Sequence, residues 1–137
     1  MNCEFYNYFD NDTDHGGIFL GTGNTQWTIS NNKFYQTATR EITVDNIEHS
    51  GIRIESGTNY TITNNTIGYT SNANTGTYTI NAGSGDASQF MGIWLSGLSS
   101  TGISTISGNT ITSISFQSSS TNQLDNGNYE GVMCGIM

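Results

Sequence analysis

The chain contains no proline, and only three of its 137 residues are lysine or arginine. It has two cysteines and no apolar run long enough to cross a bilayer. Each shortage excludes something. Without proline, nothing in the sequence forbids uninterrupted, paired interior strands. The scarcity of basic residues leaves a net charge of −8, which repels nucleic acid and anionic membrane surfaces and argues against membrane insertion. Two cysteines make no disulfide framework, and the opening Met1-Asn2-Cys3-Glu4 does not start a signal peptide. Only 34% of residues are hydrophobic, and no long window has helical periodicity.

What the chain does have is Gly, Asn, Thr and Ser, roughly half of all residues. In a helical globule that composition implies disorder, because too little apolar surface is buried to offset chain entropy. Stacked strands escape this, since each coil needs few inward side chains and its backbone bonds are met by the coils above and below.

The sequence repeats in that manner. A glycine-led strand recurs as Gly17-Ile18-Phe19-Leu20, Gly51-Ile52-Arg53-Ile54, Gly92-Ile93-Trp94-Leu95 and Gly131-Val132-Met133-Cys134, at offsets of 34, 41 and 39 residues. A second unit follows three of them, at residues 27–34, 60–67 and 104–111, each with an asparagine (Asn32, Asn65, Asn109) two places before its last apolar residue. Fixed-order short strands at such a period mark a solenoid. The expected fold is all-β: a single domain over residues 1–137, with three to four coils of three short strands each. Alternation points Ile18, Leu20, Ile52, Ile54, Ile93, Leu95, Val132 and Cys134 inward, with Ile29, Ile62 and Ile106 on a second wall. Ile42 with Val44, Tyr78 with Ile80, and Ile114 with Phe116 form the third. The three asparagines are expected to stack at an inward corner as a structural hydrogen-bonded row, with Cys3 taking their place in an opening partial coil. Cys3 and Cys134, in the first and last coils, are too far apart for a disulfide and are expected to be buried and inert. Neither end carries an obvious polar cap, so flanking coils or end-to-end self-association are the expected partners.

The Gly-Ile-Xaa-Leu strand and the Thr-Ile-Ser/Thr-Asn-Asn-Xaa-Ile strand resemble repeats of right-handed parallel β-helix proteins, the pectin-lyase-like superfamily, from Cys3 to Met137. The resemblance implies a segment of a larger bacterial protein, secreted or at the cell surface, with a polysaccharide as the ligand class. The superfamily includes polysaccharide lyases and hydrolases as well as non-catalytic adhesins and tailspikes.

Several columns are candidate sites. Aligning residues before each repeat glycine brings His15, His49, Phe90 and Tyr129 into one column and Asp14, Glu48, Gln89 and Asn128 into another. Asp14-His15 and Glu48-His49 would be acid–imidazole pairs, suited to proton transfer with Arg40 or Arg53; the competing reading is ring stacking at a turn. Asp10, Asp12 and Asp14 alternate as oxygen ligands and are candidates for Ca2+, although the glycine and distal glutamate of an EF-hand are missing. No other cofactor is implied. Phe19, Arg53 and Trp94, with Met133, face outward and make a stacking platform for a sugar ring, with Arg53 able to grip a carboxylate. The hydroxyl files Thr28/Thr61/Thr105 and Ser30/Thr63/Ser107 resemble ice-binding faces, or are simply solvated strand residues. The expected function is an extracellular β-helix scaffold that binds carbohydrate, with no catalysis assigned. A lyase or hydrolase acting on an acidic polysaccharide is the alternative, and an ice-binding surface a minor one.

Overall fold

A computed structural model of the chain describes residues 2–9, 15–44, 47–82, 88–118 and 133–137. Fourteen short strands make up these residues, and no helix occurs among them. They are β1 (Glu4–Tyr6), β2 (His15–Leu20), β3 (Thr28–Ser30), β4 (Lys33–Tyr35), β5 (Arg40–Ile42), β6 (Glu48–Ile54), β7 (Thr61–Thr63), β8 (Thr66–Gly68), β9 (Tyr78–Ala82), β10 (Gln89–Leu95), β11 (Thr105–Ser107), β12 (Thr110–Thr112), β13 (Ile114–Ser118) and β14 (Met133–Ile136).

Every pairing is parallel, and full coils repeat every four strands, so β2, β6, β10 and β14 form one ladder. The others are β3-β7-β11, β1-β4-β8-β12 and β5-β9-β13. This arrangement of stacked parallel ladders is compatible with a β-helix-like solenoid. Each coil has four strands rather than three, because the asparagine-bearing unit is two strands meeting at a corner. Asn31, Asn64 and Gly108 sit there with φ of 58°, 56° and 64°. The left-handed region is open to glycine and tolerated by asparagine, which is why those residue types break the strand at that point.

The glycine column lies inside β2, β6 and β10. A Cβ on Gly17 would lie 2.6 Å from Phe34 Cδ1, and on Gly51 2.8 Å from Ile67 Cδ1. On Gly92 it would lie 2.7 Å from Ile111 Cδ1. The backbone of this wall thus approaches the opposite wall more closely than any side chain allows. Gly51 and Ile52 both face the interior, so strand alternation slips by one residue in β6. Residues 49, 52 and 54 point inward and residues 48 and 53 outward.

Register in the last coil differs from the repeat alignment. Phe90 pairs with Met133, Met91 with Cys134 and Ile93 with Ile136, so the fourth stacked glycine is Gly135, not Gly131. Ile136 therefore takes the slot expected for Val132, and Met137, whose carbonyl accepts from Leu95 N–H at 2.8 Å, reaches the level expected for Met133. Gly131 and Val132 themselves lie outside the described residues. The fourth wall is also shifted: Arg40 pairs with Ile80 and Ile42 with Ala82, and Val44 is exposed. Ile52, Ile54, Ile62, Ile67, Tyr78, Ile80, Phe90 and Ile93 form the sealed core. Cys3 is exposed and Cys134 half-buried, contrary to the expectation that both are buried.

Candidate functional site

The outer face of β2, β6 and β10 aligns Phe19, Arg53 and Trp94 in one column. The guanidinium of Arg53 lies 3.8 Å from the Trp94 ring centroid and 5.8 Å from that of Phe19. A planar cation between two aromatic faces is favoured by the ring quadrupoles. The same guanidinium is held by carboxylates at its rim. Its Nη2 is 2.9 Å and its Nε 2.9 Å from Glu55 Oε1, while Nη1 is 3.3 Å from Glu48 Oε2. Two carboxylates around one cation leave an excess negative charge on this face.

Of the three column residues, only Phe19 is open, at 56% exposure, whereas Trp94 retains 7%. The expected platform is thus one exposed ring backed by a neutralised cation. Arg53 has its donors engaged by Glu48 and Glu55, so it does not offer a free fork to a ligand carboxylate.

The acid–imidazole pairing conflicts with ordinary strand alternation in β6. His49 stands in register with His15 and Phe90, as a ring column, but it is fully buried and packs 4.2 Å from the Phe9 ring. Glu48 points the other way, to Arg53. The two neighbours in sequence therefore serve opposite faces and do not act as a pair. Asp14 and the side chain of His15 lie outside the described residues, as do Asp10, Asp12, Asn128 and Tyr129. Among the described residues, no three of His, Cys, Asp and Glu gather as a metal site. Arg40 joins none of these groups. Its Nε donates to Gln36 Oε1 at 2.8 Å and its Nη2 to Asn7 Oδ1 at 2.6 Å, fastening the segment after β1 to the first coil.

A polar cluster escaped the sequence reading. The hydroxyls of Tyr8 and Tyr78 and the amide nitrogen of Gln36 are sealed inside without a well-formed hydrogen bond. Burial pushes both phenols well above their ordinary range; Gln36 draws Tyr8 back slightly and the Arg40 charge does so for Tyr78. The only sequence signal is that Tyr78 alternates with Ile80 on an inward wall.

The asparagine row is continuous. Cys3 N–H donates to Asn32 Oδ1 at 3.1 Å, Asn32 N–H to Asn65 Oδ1 at 3.0 Å, and Asn65 N–H to Asn109 Oδ1 at 3.0 Å. Side-chain amides add Asn32 Nδ2 to Asn65 Oδ1 at 3.0 Å and Asn65 Nδ2 to Asn109 Oδ1 at 2.9 Å. The hydroxyl files are also in register, Thr28 beside Thr61 and Thr105, and Ser30 beside Thr63 and Ser107.

Comparison with family models, curated proteins and solved structures returns no match to this chain.

Proposed function

We propose that the chain is a right-handed parallel β-helix of the pectin-lyase-like kind, a segment of a bacterial extracellular or surface solenoid. It serves as a rigid scaffold and binds polysaccharide on the outer face of β2, β6 and β10. Handedness follows from the general rule that crossovers between parallel strands of one sheet are right-handed. The observation that carries the binding reading is the exposed Phe19 ring over Arg53, flanked by Glu48 and Glu55. An aromatic face takes the C–H face of a sugar, and neighbouring carboxylate oxygens accept from its hydroxyls. Because the rim is net negative, the favoured ligand is a neutral glycan rather than a uronate. Catalysis is not assigned, since Glu48 and His49 face opposite ways.

Affinity electrophoresis on immobilised neutral and uronate-containing polymers tests this. Phe19→Ala is expected to weaken retention on a neutral glycan by roughly tenfold, the loss of one aromatic stack. Equal retention of the two proteins on every glycan sinks the reading. New reducing ends or unsaturated products in the same panel would favour the lyase or hydrolase instead.

The in-register hydroxyl files support a second, lesser reading. Rows about 4.8 Å apart between coils and roughly 6.6 Å apart along each strand make a regular array of hydroxyls. An ice-binding face of this kind is expected to produce thermal hysteresis, and its absence removes the idea.

A further inference from the structure

The turn from the β4-β8-β12 ladder into the β5-β9-β13 ladder needs little chain. Ser113 alone makes it between β12 and β13, and residues 36–39 make it between β4 and β5, but residues 69–77 lie between β8 and β9. The additional residues form a built loop. Thr70 N–H donates to Thr75 C=O at 2.9 Å, Asn74 N–H donates to Ser71 C=O at 3.2 Å, and Ser71 Oγ and Thr75 Oγ1 lie 2.8 Å apart. Gly76 has a φ of 77°, and a Cβ there would lie 2.0 Å from Thr70 Oγ1. Tyr69 also stands in the left-handed region, at φ 63°, a conformation that a bulky side chain rarely adopts and that the loop must impose.

The tip of this loop does not stay at its own level. Lys33 Nζ, one coil back, donates to the Asn72 carbonyl. Asn72 Nδ2 donates to both carboxylate oxygens of Glu4, two coils back, at 3.1 and 3.3 Å. Tyr35 OH donates to Glu4 Oε2 at 3.0 Å, which joins the level between to the same carboxylate. Because β1, β4 and β8 are successive strands of one ladder, the loop reaches back over about 10 Å of stack, at ~4.8 Å per coil.

A solenoid is otherwise coupled between neighbours alone, its stability being a sum of coil terms and nearest-neighbour interfaces. The bond from Asn72 to Glu4 skips a level. We propose that residues 69–77 are a strap that makes the levels of β1, β4 and β8 open as one cooperative unit, with Asn72 as its clasp and Glu4 as its anchor. Every bond of the strap joins residues of these three levels, so it acts in the same way whatever flanks them.

Native-state hydrogen exchange of the whole chain at increasing, sub-denaturing urea tests this. Asn7 N–H, bonded to Tyr35 C=O, reports the β1 level, and Thr66 N–H, bonded to Asn32 C=O, reports the β8 level. In the parent the two are expected to exchange with one urea slope. In Asn72→Ala, Asn7 is expected to exchange roughly tenfold faster, the equivalent of one to two net hydrogen bonds, and with a shallower slope, while Thr66 keeps the parent slope. Asn72→Asp sets two carboxylates against each other and is expected to free the β1 level further. Adding Glu4→Gln to that variant exchanges donor and acceptor, and is expected to restore the common slope. Different slopes for Asn7 and Thr66 in the parent, an Asn72→Ala chain that exchanges as the parent does, or no recovery in the paired variant would each overturn the proposal.

Discussion

Asn65→Ala is expected to destabilise the fold by about 4 kcal/mol, from two buried donors left unmet at ~1–3 kcal/mol each together with the bonds lost. Asn65 is fully buried. Its Oδ1 accepts both the N–H and the Nδ2 of Asn32, and its own Nδ2 serves Ile29 C=O and Asn109 Oδ1. Against a typical domain stability of about 5–15 kcal/mol, the change removes a large share. The loss is expected to be graded by position: Asn109→Ala also strands two donors, the N–H and Nδ2 of Asn65, but it lies at the half-exposed last coil, so a smaller effect is anticipated. Asn64→Gly serves as the control. Asn64 holds the left-handed turn at φ 56°, and Gly108 already does that in the next coil, so a change of only a few tenths of a kcal/mol is expected. Urea denaturation of the three variants reads these differences. A cost below about 1 kcal/mol for Asn65→Ala would mean that the row is not a bonded ladder.

The adjacent asparagines thus do different work, and this explains how much of the fold was legible. A strand-breaking Asn or Gly followed by an inward Asn leaves a trace at each coil because both demands are local and chemical. The glycine column is visible for a similar reason: a Cβ there collides with Phe34, Ile67 or Ile111. What such columns do not carry is phase. Column alignment set Glu48 beside His49 as one site, whereas neighbours along a strand face opposite sides, and β6 sends one to Arg53 and the other into the core. Nor do they settle the last coil. Gly131-Val132 and Gly135-Ile136 both match the glycine-led pattern, and only pairing with β10 distinguishes them.

The candidate site was half legible for a related reason. Registration brought Phe19, Arg53 and Trp94 together, which spacing along the chain can reveal. Which member stays open depends on neighbours from other coils and on the two carboxylates that bracket the cation. Those contacts combine residues two and five apart along the chain, and no simple periodicity displays them. Arg40 is a sharper case, since its partner opposite is Ile80 and its charge is absorbed by Gln36 and Asn7.

The buried tyrosines carry the second large expectation, a steep loss of stability in alkali. Tyr8 is half-buried as a residue, yet its hydroxyl is sealed, and Tyr78 is buried entirely. Desolvation raises both phenols above the unfolded value of 10.0, outweighing the opposing pull of Gln36 on Tyr8 and of Arg40 on Tyr78. The folded state therefore holds these protons more tightly than the unfolded chain does. Below pH 10 both states are protonated and the pair contributes no pH dependence. Above it the unfolded chain ionises first, and stability falls as pH climbs toward the folded values. Each tyrosine contributes about 1.4 kcal/mol per pH unit, so the pair gives a slope of about 2.7. Denaturation midpoints measured across this range, with tyrosinate absorbance followed in parallel, are expected to show ionisation coinciding with unfolding. Tyr78→Phe should halve the slope while leaving neutral-pH stability nearly unchanged, because the hydroxyl it removes has no well-formed hydrogen bond to lose. An unaltered slope in that variant, or both phenols titrating near 10 in the folded chain, would show that the cluster is open to solvent.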